Sequence, residues 1–171
     1  MNKILRTTAA VAALLLSATP ALAVGPSDKN ATATARIVKP LTLTFVQDLN
    51  LGTILLSGAG AWTGAVVSIS RGGTFSCTNT NVVCSGATQV AKYNVTGTNN
   101  QTVTISAPNV TLTNQNDNTK TLVMAVDNPG SVALSNSGST GVDFSLGGSI
   151  TVASTTTDGV YLGTFNVTVD Y

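Results

Sequence analysis

The stretch Leu41-Thr42-Leu43-Thr44-Phe45 alternates apolar and polar side chains with a period of two residues. Successive side chains of a β-strand point to opposite faces of the sheet, so this pattern predicts a strand with one face on a core and the other in water. The same alternation recurs at residues 67–69, 91–95 and 103–105. No long segment beyond residue 23 repeats apolar residues at helical spacing, and the chain is therefore predicted to be all-β.

Turn-forming residues separate these runs at short intervals, for example at Gly72-Gly73, Asn128-Pro129-Gly130 and Asp158-Gly159. Many short antiparallel strands on one core predict an immunoglobulin-like two-sheet antiparallel sandwich of roughly seven to nine strands rather than a closed barrel. Residues 122–126 are apolar at every position, which predicts a central strand that is covered on both faces or abuts a partner.

Residues 1–23 have the features of a secretory signal peptide: two basic residues, a mostly apolar stretch, and a small-x-small site ending at Ala23. The apolar stretch is too short to span a bilayer, and no transmembrane segment is expected. Cleavage near Ala23 leaves residues 24–40 as an N-terminal arm or first strand and residues 41–171 as the sandwich domain. We expect a secreted protein, located in the periplasm or at the cell surface.

The composition excludes several classes of chemistry. Charged residues make up 9% of the 171 residues and hydrophobic ones 43%, and the chain contains no His and no Glu. Without the leader six basic and seven acidic residues remain, a formal charge of −1 that does not favour nucleic acid as a partner. Asp127, Asp143 and Asp158 lie at predicted turns, where Asp commonly caps local backbone. We therefore expect no enzyme activity, no catalytic residue, no cofactor and no metal.

Cys77 and Cys84 are the only cysteines. In an oxidising compartment two cysteines on either side of the turn-like residues 78–81 most simply form a disulfide, which would pin a hairpin. A redox or metal-binding pair is the other interpretation. It is disfavoured because the spacing is not that of a CxxC motif and no His could complete a zinc site.

The two ends of the chain carry the most specific pattern. Residues 159–171 predict one long strand whose inner face includes the candidate receiving or edge residues Phe165, Val167, Val169 and Tyr171. Near the other end, apolar residues alternate with polar ones as in a strand that could be added to a neighbouring sheet. These candidate donor residues are Ala31, Ala33, Ala35 and Ile37. The simpler alternative is that residues 31–37 form the first strand of the same domain.

Residues 159–171 resemble the C-terminal strand of chaperone-usher fimbrial subunits, in which a Gly and a near-terminal Tyr stand twelve positions apart; here the Tyr is the last residue. A second resemblance covers almost the whole chain after the leader, to the secreted bacterial family called domain of unknown function 4402. It rests on residues 49–54, 93–97, 146–152 and 159–171. These resemblances imply a β-sandwich, assembly with itself by strand exchange, and partners such as a periplasmic chaperone and an outer-membrane usher.

Together these features predict a non-enzymatic, exported structural subunit of a fimbria-like or coat-like bacterial surface assembly. The alternative is a monomeric secreted or periplasmic β-sandwich binding module. Such a module would use loops such as residues 58–64, where Trp62 could stack on a sugar, or the Asn-rich residues 114–118. A Ca²⁺ loop at residues 114–118 is disfavoured because it contains one carboxylate.

Overall fold

Strands form where β-branched and apolar residues alternate with small polar ones. A computed structural model describes residues 31–58, 60–135 and 140–171. The predicted signal peptide, its cleavage site at Ala23 and residues 24–30 of the arm lie outside the described residues, as does position 59 of the 58–64 loop. The described residues contain no helix and thirteen strands: β1 (Thr42–Gln47), β2 (Thr53–Leu56), β3 (Ala65–Ile69), β4 (Phe75–Ser76), β5 (Val82–Ser85), β6 (Ala91–Thr96), β7 (Thr102–Ser106), β8 (Val110–Asn114), β9 (Thr121–Asp127), β10 (Ser131–Ala133), β11 (Val142–Val152), β12 (Tyr161–Leu162) and β13 (Thr168–Asp170).

The strands form one large and two small sheets, and every pairing is antiparallel. The large sheet has the order β1-β6-β11-β9-β8-β12, with β3 also paired to β11 and β4 paired to β3. The first small sheet has the order β10-β7-β13, and the second consists of β2 and β5. Most neighbours in space are distant in sequence, so the sheets depend on long-range pairing.

The eleven-residue strand β11 connects the two halves of the large sheet. Its first half pairs with β6, from Val142 opposite Val95 to Leu146 opposite Ala91. Its second half pairs with both β3 and β9, so that Ile150 lies opposite Val67 on one side and Met124 on the other. Strand β11 therefore joins the two halves of the large sheet through its pairing with β3, β6 and β9.

Two apolar clusters form the core, one in each half. Phe144 and Leu146 of β11 pack with buried residues of β6 and β7 and with Leu134, which follows β10. Ile150 and Val152 pack with β3, β8 and β9 beside the β2–β5 sheet. Phe165 contacts both clusters. The small sheets thus cover the inner face of the large sheet, which confirms the predicted all-β antiparallel sandwich. The chain uses more and shorter strands than predicted, because turns and irregular stretches interrupt pairing without interrupting the alternation.

The central position predicted for residues 122–126 is confirmed, since β9 lies between β11 and β8. The prediction that both faces of this strand are covered is wrong, because Met124 is buried but Val123 on the opposite face is 62% exposed. An apolar residue on the outer face hides the alternation in the sequence, although the strand is buried on one side only.

The single long strand predicted for residues 159–171 is also wrong. The structure has β12 and β13 with no strand at residues 163–167, because β12 pairs with β8 in the large sheet whereas β13 pairs with β7 in a small one. The alternation survives this crossing between layers. Phe165, Val167 and Val169 are half-buried, and the residues between them are exposed.

The disulfide between Cys77 and Cys84 is present, with a Cα–Cα distance of 6.3 Å. The prediction that it would pin a hairpin is wrong. Cys77 follows β4, which pairs with β3 in the large sheet, whereas Cys84 lies in β5 of the two-stranded sheet. The bond therefore links a covering sheet to the sheet beneath it.

Candidate assembly surface

The predicted donor segment contains no strand in the structure. Ala31, Ala33 and Ala35 are exposed and lie outside any regular element, and the first strand of the sandwich begins only at Thr42. Residues 37–171 form one compact unit. Ile37, at the start of this unit, is 90% exposed. Within the part of the chain that the structure describes, the apolar side chains of this segment belong to neither core cluster.

Three hydrogen bonds fix the chain just before β1. The Lys39 amide donates to the Thr98 hydroxyl at 2.6 Å, and the Thr98 amide donates to the Tyr171 hydroxyl at 2.7 Å. The Tyr171 hydroxyl in turn donates to the Lys39 carbonyl at 2.6 Å. We call these three residues the Lys39 clamp. Tyr171, a predicted interface residue, therefore holds the start of its own sandwich.

The other C-terminal candidates face inward. Phe165, Val167 and Val169 pack against the cluster that contains Val103 and Ile105 of β7. β13, which includes Val169, lies at one end of the β10-β7-β13 sheet. These side chains belong to the core of the sandwich, and what β13 presents outward is a three-residue backbone edge.

Strand β1 forms one end of the large sheet, a position that the sequence did not reveal. β1 pairs with β6 on one side and with no other strand of the described residues. Its Leu43 packs against the core, but Phe45, two residues on and therefore on the same face, is 56% exposed. The register shifts between Phe45 and Gln47, so Val46 forms a bulge. The hydrophobic inner face of the sheet thus extends past its cover at β1.

Phe45 is the outermost member of a row of three aromatic rings on adjacent strands. Its ring makes an edge contact with Tyr93 of β6 at 6.0 Å, and Tyr93 stacks on Phe144 of β11 at 5.6 Å. Burial, and to a lesser extent the charge of Asp48, raises the pKa of Tyr93. The row changes from a buried ring at Phe144 to an exposed one at Phe45.

Three acidic side chains make hydrogen bonds or ion pairs within the fold. Asp127 pairs with Arg71 at 2.9 Å and accepts its backbone amide, and Asp143 accepts a hydrogen bond from Asn94. Asp117 accepts hydrogen bonds from the hydroxyl and amide of Thr119, which lower its pKa. Within residues 31–58, 60–135 and 140–171, no three His, Cys, Asp or Glu residues lie together as a metal site requires.

Asn114 is a structural residue that the sequence did not identify. It is buried, and its amide donates to the Asp158 carbonyl while its side-chain oxygen accepts the amides of Asn116 and Asp117. Gly159 lies directly against it: a Cβ there would stand 2.7 Å from the Asn114 amide. An Asn at the end of an alternating strand, just before an Asn-rich turn, is the sequence pattern that could have identified this role.

The two loops assigned to a binding module differ in the structure. Trp62 is partly buried against the core, and its ring nitrogen faces the Ser57 carbonyl at 3.3 Å, so it packs as a core residue. Beside the other loop lies an open cavity of about 320 Å³, lined by hydroxyl groups, Leu122, Lys120 and Tyr161. Tyr161 is held in place by donating to the Thr157 carbonyl at 2.8 Å.

The fold and surface define an all-β sandwich protein with an exposed alternating segment ahead of its first strand. Residues 41–171 match the family described as domain of unknown function (DUF4402), and the chain belongs to that family. No curated protein and no solved structure matches the chain. Among the residues that the structure describes, no helix has the length and apolar character to cross a membrane.

Proposed function

We propose that this protein is an exported, non-enzymatic structural subunit that joins copies of itself into a fimbria-like or coat-like assembly at the bacterial cell surface. One observation carries the proposal. The segment 31–37 has the alternation of a strand, yet it lies in no strand, and its apolar residues up to Ile37 are exposed. Addition to the sheet of another copy would give the segment a strand partner and would bury these side chains.

Export is supported by the signal-peptide pattern of residues 1–23 and by the Cys77–Cys84 disulfide, since such bonds persist in oxidising compartments. An exposed strand-forming segment and open sheet edges aggregate easily while the protein crosses the periplasm. A periplasmic chaperone that covers them, and an outer-membrane usher that orders their release, are therefore the expected partners.

The test compares the two faces of the segment in the full chain. We expect surface-sheared material to give a ladder of subunit multiples on a gel when unboiled, and a monomer when boiled in detergent. The double variant Ala33→Lys, Ala35→Lys places charges on the face that would enter a core, so it should lose the ladder. The matched control Thr32→Lys, Thr34→Lys changes the other face and should keep it.

Two results would overturn the proposal: a single monomer band in both lanes for the unmodified chain, or a ladder that persists in the Ala33, Ala35 double variant. Secretion of the variants at the level of the unmodified chain, together with an intact disulfide, shows that a lost ladder does not reflect misfolding.

A second candidate function, a monomeric binding module, is favoured by the cavity beside Tyr161. Hydroxyl groups, an amine at Lys120 and the aromatic ring of Tyr161 line it, and such groups contact saccharides. Glycan-array binding that is lost in Lys120→Met and kept in the control Lys92→Met would support it. An array without any signal would exclude it for the glycans displayed.

A further inference from the structure

Among the described strands, β1 has the least protected free edge. The other strands at sheet ends are two to four residues long, namely β2, β4, β5, β10, β12 and β13, whereas β1 has six residues and no charged side chain. Proteins normally shield edges by shortness, charge, bulges or a covering loop. Within residues 31–58, 60–135 and 140–171, β1 shows one of these devices, the bulge at Val46, which lies near its end.

The inner face of β1 is incompletely covered. Leu43, opposite the fully buried Val95, contacts the core, but Phe45, opposite Tyr93, leaves 56% of its surface in water. A strand added at the β1 edge would lie about 4.8 Å from it and would place every second side chain beside Leu43 and Phe45. Small side chains such as alanine fit next to a phenylalanine ring at that spacing.

The Lys39 clamp opposes addition of a chain's own segment to its own β1. Thr42 pairs with Thr96, and just before the strand the Lys39 amide donates to the Thr98 side chain, which holds the chain beside the end of β6. Lys39 also precedes Pro40, which restricts it to an extended conformation. A chain that reversed at this point to cover its own strand would have to give up hydrogen bonds at both the amide and the carbonyl of Lys39.

We infer that the β1 edge is the acceptor of the assembly, and that it takes residues 31–37 of a second copy of this chain, with Phe45 as the apolar anchor. This inference rests on the proposed function and names its receiving surface. Seven residues with alternating alanines match a free edge of six residues in length, and neither the inner face of β1 nor the alanines carry a charge that pairing would bury.

The first test substitutes the anchor in the full chain. Phe45→Lys places a charge on the inner face at the edge and should abolish the boiling-sensitive ladder. The control Leu55→Lys changes a residue of similar exposure, 65%, on β2, and should keep the ladder. Thermal unfolding of both monomers shows whether each is folded. A folded Phe45→Lys variant that still forms the ladder would overturn the inference.

The second test does not depend on the stability of Phe45→Lys. Two full-length chains, one carrying Thr34→Cys and the other Thr44→Cys, are mixed and allowed to oxidise; both positions lie on the outer faces of their segments. We expect a mixed covalent dimer, because cross-strand neighbours on one face lie within disulfide distance. Thr32→Cys gives the alternative register, and Thr111→Cys on β8 replaces Thr44→Cys in the control.

These results separate the two proposals. A ladder that needs Ala33 and Ala35, combined with cross-links that form equally with Thr111→Cys or not at all with Thr44→Cys in either register, overturns β1 as the acceptor but leaves assembly by strand addition standing. A chain that forms no ladder overturns both.

Discussion

The hydroxyl group of Tyr171 donates a 2.6 Å hydrogen bond to the carbonyl oxygen of Lys39, 132 positions earlier in the sequence. The same hydroxyl accepts the Thr98 amide, so one side chain joins the start of β1, the end of β6 and the end of β13. The packing here is close, since a Cβ at Gly97 would stand 2.7 Å from both the Tyr171 hydroxyl and Leu41.

Removing this hydroxyl should weaken the sandwich. Tyr171→Phe deletes one donor and one acceptor interaction in a region that is partly open to water, so we expect a loss of about 1 kcal/mol in the free energy of unfolding. Urea unfolding checks it. Thr98→Val removes another bond of the same clamp, and the double variant should lose less than the sum of the two single losses. Strict additivity would show that the clamp does not act as a unit.

The disulfide should stabilise the fold by limiting the unfolded chain. Closing the short loop between Cys77 and Cys84 contributes about 2.5 kcal/mol by the chain-entropy relation. Unfolding of the oxidised protein, compared with Cys77→Ser, Cys84→Ser, measures this difference. Because the bond joins two sheets and not the strands of a hairpin, proteolysis of the double variant should begin near β2 and β5. Equal unfolding midpoints would contradict the prediction.

Gly159 should not tolerate a side chain. Its φ of 137° lies in a region that other residues rarely adopt, and a Cβ would collide with Asn114. We expect Gly159→Ala to cost about 1–3 kcal/mol. Gly130→Ala is the matched control, because Gly130 also has a positive φ, 75°, but nothing lies within 4 Å of a Cβ there; about 1 kcal/mol is expected. Equal losses at the two glycines would mean that contact with Asn114 contributes nothing.

Stability should fall at alkaline pH through Tyr93. Burial raises the pKa of Tyr93 above its ordinary value of 10.0, so the folded state keeps the phenol protonated where the unfolded state ionises. Its contribution is complete below pH 10.0 and is lost as the pH rises through the folded-state pKa. Tyr93→Phe should show a shallower decline in unfolding free energy above pH 10.0 than the unmodified protein. Parallel declines in the two proteins would exclude this origin.

Several features of the fold followed from the sequence because they depend on local pattern. Alternation placed Leu43, Val95, Val103 and Ile105 on the core side of strands, and the structure buries each of them at least in part. The pairing of Cys77 with Cys84 followed from there being only two cysteines. The period of two survived even where the C-terminal strand did not, since Phe165 and Val167 still face inward.

Alternation carries no information about which strand lies beside which. It did not reveal that β1 ends the large sheet with Phe45 uncovered, because exposure there depends on which strands lie beside and over β1. It also did not reveal the contact of Gly159 with Asn114 across 45 positions.

The all-β class and the inward or outward direction of side chains thus followed from the amino-acid pattern alone, because the backbone geometry of a strand alternates whatever its partners are. The order of strands in each sheet, the break between β12 and β13, and the clamp between Lys39 and Tyr171 arise only in the folded chain. They depend on the register between strands that are distant in sequence. The two halves of β11 pair with different strands, and the small sheets pack on the core that these pairings form.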